Sequence, residues 1–335
     1  MNWSKGFSAA YYGHYVDPVS WADTERFEII SGSINHVADD LRESASVKVT
    51  NYGRGVEKWI RIYLDTKQDE SGAHTPLFTG LAVSPDDEIE GFFSAQTLDC
   101  YSVLKPADDI LLQRGWYAPA ESNGGQIIKE LLEGFAPLNV ADNAPYLSQA
   151  IIAEDGETNL SMAEKILNAI NWRIKIDGYG VINVMPKPIK VSASFDPNTN
   201  DVIEPQIKLK HDWFDCPNCF RAISDDLTGI AKDESDGPLS IKNRGREVWA
   251  EESGVDLAGD ESIGEYALRR LKEEQSYGIS VSYYRRFDPN VNVGDLVSLR
   301  YQAQGISGIY TVSSQTIELG YGARVSEEVK HEADY

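Results

Sequence analysis

Hydrophobic and polar residues alternate along most of this chain. Period-two runs occupy ASVKVTNY, WIRIYLD, HTPLFTGLAV and FFSAQTLDCY, and clusters of Gly, Pro and Asp separate them. Such alternation is typical of antiparallel strands with one buried face. We therefore predict a first β module over residues 1–105, built as an antiparallel sheet or barrel, in which SPDDEIEG is an acidic turn between strands.

The pattern becomes helical in the middle of the chain. GGQIIKELLEGF has apolar residues at helical spacing, with Asn123 as candidate N-cap and Gly134 as the stop. A second helix is predicted from Ser161, which would form a capping box with Glu164. Its expected buried face consists of Met162, Ile166, Leu167 and Ile170. With the hairpin WRIKIDGYGVINVMP, residues 106–190 are predicted to form a small α+β domain, followed by the connector PKPIKVSASFDPNTND.

Strand patterns return in residues 191–335, which we predict to form a second β module with one helix at about 261–276. Asp260 or Ser262 is the candidate cap of that helix. Its expected buried face consists of Ile263, Ala267, Leu268 and Leu271. The strands GISVSYY, GDLVSLRY and GIYTVSSQTIEL close the module. The fold class is therefore mainly β, with two β modules and a mixed insert.

The stretch HDWFDCPNCF raises the question of a metal or redox site. Cys216 and Cys219 form a CxxC with His211 upstream, but a structural zinc needs four ligands and no second pair lies nearby. A redox motif would open a helix, whereas NCFRAIS alternates as a strand and runs into the turn DDLTG. We interpret both cysteines as small buried residues of a hairpin.

Other candidate sites also fail on their spacing. FDPNTND offers Asp196, Asn198 and Asn200 as calcium ligands, but Asp201 replaces the required glycine and Ile207 the required glutamate. ESNGGQ precedes a helix but lacks the Lys-Ser/Thr of a nucleotide loop. GxSxG and HExxH are absent. We predict no catalytic, cofactor-binding or metal-binding residue.

Charge and length restrict the class of protein further. The 335 residues carry a formal net charge of -22, which argues against binding nucleic acid through its phosphates. No apolar run approaches the roughly 18 residues that span a membrane, and the N-terminus does not resemble a signal peptide. We expect synthesis and folding in the cytoplasm.

The order of elements in the last module resembles the baseplate hub proteins of phage tails, the late-control-D and XkdQ-like group. A hairpin on NCFRAIS, the segment SIKNRGREVW, a helix on ESIGEYALRRL and the closing strands follow that order. The most specific phrase is Pro289-x-Val291-x-Val293-Gly294-Asp295, in which the last two residues would turn the chain into a strand at 296–301. FTGLAVSPDDEIEGFFSAQTLDCYSVLK and SMAEKILNAINWRIKIDGYGVINV are similar to the first barrel and the middle domain of those hubs.

The resemblance implies a non-enzymatic structural protein without cofactors. Three subunits, each with two tail-tube-like β-barrels, would form a ring that adapts the hexameric tail tube, or its initiator proteins, to a distal spike, fibre or tail tip. DNA would pass through an acidic lumen without specific binding. The protein would belong to the tail of a virion and would assemble in the host cytoplasm.

Two other functions remain open at this point. One is a secreted carbohydrate-binding β protein or glycoside hydrolase, because seven Trp and 17 Tyr could line a sugar-binding face. The other is a distal tail or tube-initiator protein.

Overall fold

The computed structural model describes residues 1–38, 41–50, 52, 57–90, 93–199, 202–211, 213–224, 227–255, 257, 261–276, 279–320 and 322–331. Strands dominate this part of the chain, and most of them pair in an antiparallel manner. The mainly β fold predicted from the hydrophobic pattern is thus confirmed.

The first β module is a closed barrel. Its strands are β1 (Ser8–Val16), β2 (Asp23–Val37), β3 (Glu43–Thr50), β4 (Lys58–Gln68), β5 (Ser71–Glu90) and β6 (Phe93–Ser102). They pair in the order β1-β4-β5-β6-β3-β2, and β1 also pairs with β2, which closes the barrel. The predicted turn SPDDEIEG is mostly strand, because β5 continues to Glu90; residues 91 and 92 lie outside the described part.

The middle domain mixes short strands with helices. Its elements are α1 (Lys105–Asp109), β7 (Tyr117–Ala118), α2 (Gly124–Leu132), β8 (Leu138–Val140), β9 (Ile151–Ile152), α3 (Asn159–Ala169), β10 (Trp172–Ile176) and β11 (Ile182–Pro186). As predicted, the Asn123 side chain caps α2 by accepting a hydrogen bond from the Gln126 N–H at 3.0 Å. The predicted hairpin is formed by β10 and β11, whereas β8 pairs with β11 in parallel.

The cap of α3 lies three residues before the predicted one. Thr158 Oγ1 accepts from the Ser161 N–H at 3.0 Å, and Ser161 Oγ accepts from the Thr158 N–H at 2.9 Å. The prediction of Ser161 as N-cap was wrong because Thr158 already occupies the extended position before the first turn. Glu164, expected in the box, instead binds Arg42 Nη2 through both carboxylate oxygens. The predicted buried face of α3 is confirmed: Met162, Ile166, Leu167 and Ile170 are all at most 5% exposed.

The last segment contains β12 (Val191–Phe195), β13 (Ile203–His211), β14 (Cys219–Ser224), β15 (Leu227–Lys232), α4 (Ile241–Arg244), β16 (Trp249–Ser253), α5 (Ile263–Ser276), β17 (Ile279–Arg286), β18 (Leu296–Tyr301), β19 (Ile306–Glu318) and β20 (Arg324–His331), with a 3₁₀ turn at Gln302–Gln304. Strands β13-β17-β20-β19-β18-β12 form one sheet, and β15-β14-β16 form a smaller one on which α5 packs. The predicted connector contains β12, which pairs with β18 in parallel.

Helix α5 begins where the sequence predicts. Ser262 Oγ accepts from the Glu265 N–H, and the Glu265 carboxylate accepts from the Ser262 N–H; Asp260, the other candidate cap, lies outside the described residues. Leu268 was expected on the buried face but is 46% exposed, whereas Tyr266 is buried beside Leu271 and Ala267. The helix is therefore rotated slightly relative to the predicted face.

The two β modules share one continuous sheet. Residues 33–37 of β2 pair with residues 314–318 of β19, next to the part of β2 that closes the first barrel. The end of β19 and the loops beside it bury Ile317, Leu319 and Phe287 in the core of the first barrel. We call this β2–β19 contact the seam.

The middle domain touches the first barrel through the tip of its hairpin. A Cβ on Gly178 would lie 2.0 Å from the Pro76 carbonyl oxygen, and Thr79 Oγ1 donates to the Gly178 carbonyl at 2.8 Å. We expect Gly178→Ala to lower the free energy of unfolding by about 1–3 kcal/mol because the backbones must separate. Thermal unfolding measures this, with Gly6→Ala as control, since nothing lies within 4 Å of that Cβ. Equal melting temperatures for both variants would contradict the expectation.

Candidate functional site

The CxxC lies at the start of the predicted hairpin. Strands β14 and β15 pair from Cys219 opposite Lys232 to Ser224 opposite Leu227, which confirms that hairpin. Cys216 and Cys219 are free and buried, and burial raises the pKa of the Cys219 thiol. Among the described residues, no group of three or more His, Cys, Asp or Glu side chains could hold a metal ion. The His211 ring packs edge-on against Trp213, with 4.6 Å between ring centres.

The calcium-like stretch is a turn followed by a strand. Asp196 Oδ1 accepts from the Asn198 N–H at 2.8 Å, as in an Asx turn. Asn200 and Asp201 lie outside the described residues. Ile207 is part of β13, opposite Tyr283 of β17. The interpretation as a connector without calcium stays a prediction.

A row of polar side chains crosses the seam, and the sequence reading missed it. Glu43, His36, Gln315, Glu327 and Tyr283 lie directly opposite one another on β3, β2, β19, β20 and β17. Directly opposed residues of antiparallel strands point to the same face of the sheet. We call these five residues the polar row.

Glu327 holds one end of the polar row together. Its Oε1 accepts from the Tyr283 hydroxyl at 2.5 Å, and its Oε2 accepts from Gln315 Nε2 at 2.5 Å and from Arg285 Nη2 at 2.6 Å. The side chains of Arg285 and Glu327 are 1% and 0% exposed, so this ion pair is fully buried. Burial, and then the Glu327 charge, raises the pKa of Tyr283. The carboxylate is thus satisfied by three side chains and tied to β17 and β19.

The other end of the polar row is not satisfied. His36 Nε2 and Glu43 Oε1 are buried and find no hydrogen-bond partner among the described residues. Burial lowers the pKa of His36 to about 4. Burial, followed by the charge of Asp177 in the middle domain, raises the pKa of Glu43. Both side chains are therefore favoured in their neutral forms, because a charge there would be buried without a partner.

Glu43→Gln should remove a pH dependence of stability. The folded-state pKa of Glu43 lies above its unfolded value, so its stabilising effect is present at low pH and is lost as pH rises through that window. The slope is at most about 1.4 kcal/mol per pH unit. We expect the variant to melt higher than wild type at pH 8 and similarly at pH 5, as measured by circular dichroism.

His36→Gln provides the matched control because its effect has the opposite sign. The lowered pKa of His36 means that its contribution is present above about 6.5 and is lost as pH falls toward about 4. If Glu43→Gln and wild type have the same melting temperature at pH 8, the Glu43 carboxylate does not destabilise the folded state at that pH.

The end of the polar row around Glu327 is enclosed. Glu327, Tyr283 and Arg285 are 1–2% exposed, and the strands around them are continuous. The row favours one register of β2 against β19, since a slip of one residue would move the groups of one strand to the opposite face of the sheet and separate them from their partners. The polar row therefore favours one arrangement of the two β modules across the seam.

A second polar contact joins the middle domain to the last module. Gly294, with φ of +77°, and Asp295 turn the chain into β18, which confirms the predicted use of the Pro-x-Val-x-Val-Gly-Asp phrase. The Asp295 carboxylate accepts from Arg173 Nη2 at 2.9 Å, lies 3.5 Å from Lys175 Nζ, and accepts from the Asn292 N–H at 3.1 Å. The phrase thus also anchors β10.

No family model and no curated protein matches this sequence. Solved structures do match over nearly the whole chain. A tail protein from Neisseria meningitidis MC58 has a TM-score of 0.70 at 13% identity and covers 98% of this chain and 97% of its own. The 43 kDa tail protein of prophage MuSo2 from Shewanella oneidensis has a TM-score of 0.69 at 12% identity, with 97% and 98% covered.

A protein of a secretion machine also shares the architecture. The E. coli c3393 protein, a component of the type VI secretion system, has a TM-score of 0.52 at 6% identity and covers 92% of this chain and 75% of its own. Within the described residues, no helix combines the length and apolar character needed to cross a membrane. The resemblance predicted from the order of elements is confirmed at the level of the fold: the chain has the fold of phage tail proteins.

Proposed function

We propose that this protein is a structural subunit of a phage or phage-like tail, a hub of three copies that joins the tail tube to the distal spike, fibre or tip. The observation that carries the proposal is the fold shared with two tail proteins over 97–98% of each chain. The closed first barrel and the second β module, joined at the seam, support it further.

Three-fold symmetry would explain why each chain contains two β modules. Three chains with two β modules each would present six similar units to a hexameric tube and three-fold symmetry to the distal parts. The seam and the polar row would hold the two modules of each chain at a fixed angle. Assembly would also cover large apolar side chains that the single chain leaves exposed, among them Val19 at 89%, Ile189 at 90% and Phe214 at 75%.

The charge of the chain suits a ring through which DNA passes. With a formal net charge of -22 on each copy, the wall of the channel would repel phosphates instead of binding them. The proposed role is therefore non-enzymatic: the hub contacts tube or tube-initiator proteins above and tip proteins below, in a virion tail assembled in the host cytoplasm.

Light scattering after size-exclusion chromatography tests the proposal. We expect a species of three times the 37.2 kDa chain mass at high concentration, and negative-stain images with three-fold symmetry and an open centre. A chain that stays monomeric at every concentration and with tail-tube protein added would contradict the ring. Binding of a monomer to a glycan array would favour a carbohydrate-binding function instead.

A further inference from the structure

Two aromatic residues protrude from a loop that two arginines hold in place. Phe214 is 75% exposed and Trp213 36% exposed, in the loop between β13 and β14. Arg244 Nη2 donates to the Trp213 and Phe214 carbonyls at 2.7 and 2.8 Å, and Arg246 Nη2 donates to the Phe214 carbonyl at 2.6 Å. Exposed aromatic rings on a fixed backbone cost little entropy on binding. We call these four residues the knob.

The knob is also positively charged. Segment 238–246 contains Lys242, Arg244 and Arg246 and no acidic residue; Lys242 pairs with Asp236, and Asp215 follows Phe214 in the sequence. The described residues include no carboxylate that pairs with Arg244 or Arg246. The Arg246 guanidinium lies 4.9 Å from the centre of the Phe214 ring, beside an open cleft of about 330 Å³. A matching surface must therefore offer apolar side chains with carboxylates beside them.

The middle domain carries such a surface. Leu111 pairs with Thr158, and Tyr117 with Ile152, so segments 111–123 and 146–158 run antiparallel in one register. Strand alternation would place polar residues on the outer face of such a pair. The exposed side chains are instead Leu111 at 64%, Tyr117 at 54%, Tyr146 at 61% and Ile152 at 67%. We call this pair of segments the ribbon.

Acidic side chains lie beside the apolar residues of the ribbon. Segment 146–158 contains Glu154, Asp155 and Glu157 and no lysine or arginine. The side chains of Glu154 and Asp155 are 83% and 76% exposed; Glu154 lies 3.8 Å from Lys165 Nζ, and Asp155 lies 3.5 Å from Arg114 Nε on the other strand of the ribbon. Exposed pairs of this kind are weak, so these carboxylates can exchange partners. On the opposite face of the ribbon, Ala118 and Ile151 lie directly opposite each other and are fully buried in the core of the middle domain. This packing holds the ribbon in place.

We propose that the knob of one copy binds the ribbon of the next copy, which is the contact that closes the ring; this inference rests on the proposed function. A cyclic assembly requires two different patches that complement each other, whereas a two-fold dimer pairs one patch with itself. Knob and ribbon are both apolar and fixed, and they carry opposite charges. Phe214 and Trp213 would pack on Tyr117 and Ile152, with Arg246 facing the ribbon carboxylates.

Photo-crosslinking of the full chain tests which surfaces meet. We expect p-benzoylphenylalanine at position 214 to crosslink to peptides from 111–121 or 146–158 of another copy, as identified by mass spectrometry of a mixture of isotope-labelled and unlabelled chains. The same group at position 189 should not reach the ribbon. Crosslinks from position 214 to a different surface, or only within one chain, would overturn the inference.

Charge reversal on the ribbon tests the electrostatic part without endangering the fold. Glu154→Arg with Asp155→Arg changes exposed side chains and should raise the concentration needed for ring formation about tenfold. Adding Arg246→Glu to that variant should restore much of the loss, whereas Glu28→Arg on the first barrel should change nothing. If three copies still assemble with unchanged concentration dependence, the inference fails and the proposed hub stands. If no three-copy species exists for wild type, both fail.

Discussion

Arg285→Met is expected to lower the free energy of unfolding by about 3–5 kcal/mol, because it leaves the Glu327 carboxylate buried without its counter-ion. The side chain of Glu327 is 0% exposed, and the remaining donors, Tyr283 and Gln315, are neutral. Loss of the guanidinium also removes the hydrogen bond from Arg285 Nη1 to the Arg286 carbonyl at 2.9 Å, whereas the Val291 carbonyl keeps its hydrogen bond from Gln315 Nε2. Thermal and urea-induced unfolding, followed by circular dichroism, measure the effect.

A double variant separates the cost of a lone charge from the value of the pair. Arg285→Met with Glu327→Leu removes both charges, and we expect it to recover most of the lost stability, as apolar replacements of buried pairs generally do. Arg26→Met is the exposed control: Arg26 pairs with Glu28 at 53% and 69% side-chain exposure and should change stability by less than about 1 kcal/mol. An effect of Arg285→Met as small as that of the control would show that the pair is not buried in solution.

The local elements of this fold can be predicted from the sequence. Alternation identified β3, β4, β5 and β6 of the barrel and the β14–β15 hairpin, but not β1 and β2. Asn123 marked the start of α2, and Ser262 was one of two candidates for the start of α5. These signals depend on residues that lie close together in the sequence. For α3 the sequence pattern pointed to Ser161, whereas the residue that caps the helix is Thr158, three positions earlier.

The pairings between distant segments could not be predicted in this way. Strand β12 has only five residues, VSASF, and pairs with β18 about 100 residues later, and the seam joins β2 near the start of the chain to β19 near its end. Alternation shows which face of a strand is buried but not which strand lies beside it. The sequence patterns therefore predicted the two β modules but not which strands pair to join them.

The polar row was missed for a related reason. Glu43, His36 and Gln315 stand at alternating positions of ordinary strands, where a polar residue normally indicates the solvent face. Their burial depends on the second module and the middle domain covering that face. A charged residue at a buried position can be recognised only once its covering elements are known.

Asp295 is the point at which a turn signal in the sequence becomes a contact between domains. Its side chain is 7% exposed, and those of Arg173 and Lys175 on β10 are 14% and 28% exposed. The turn needs only a small polar residue at this position, whereas the contact needs the negative charge. Asparagine and alanine therefore separate the two roles.

Asp295→Ala is expected to cost about 3 kcal/mol, because it leaves the Arg173 guanidinium largely buried without a counter-charge and removes the acceptor of the Asn292 N–H. Asp295→Asn keeps an acceptor for the turn but not the charge, so it should lose most of the contact and less of the turn. Since this carboxylate ties the middle domain to β18, calorimetry of either variant should show the single unfolding peak broaden or split. One sharp peak at the wild-type temperature for Asp295→Ala would mean that other contacts, such as that of Gly178 with the first barrel, suffice to hold the middle domain in place.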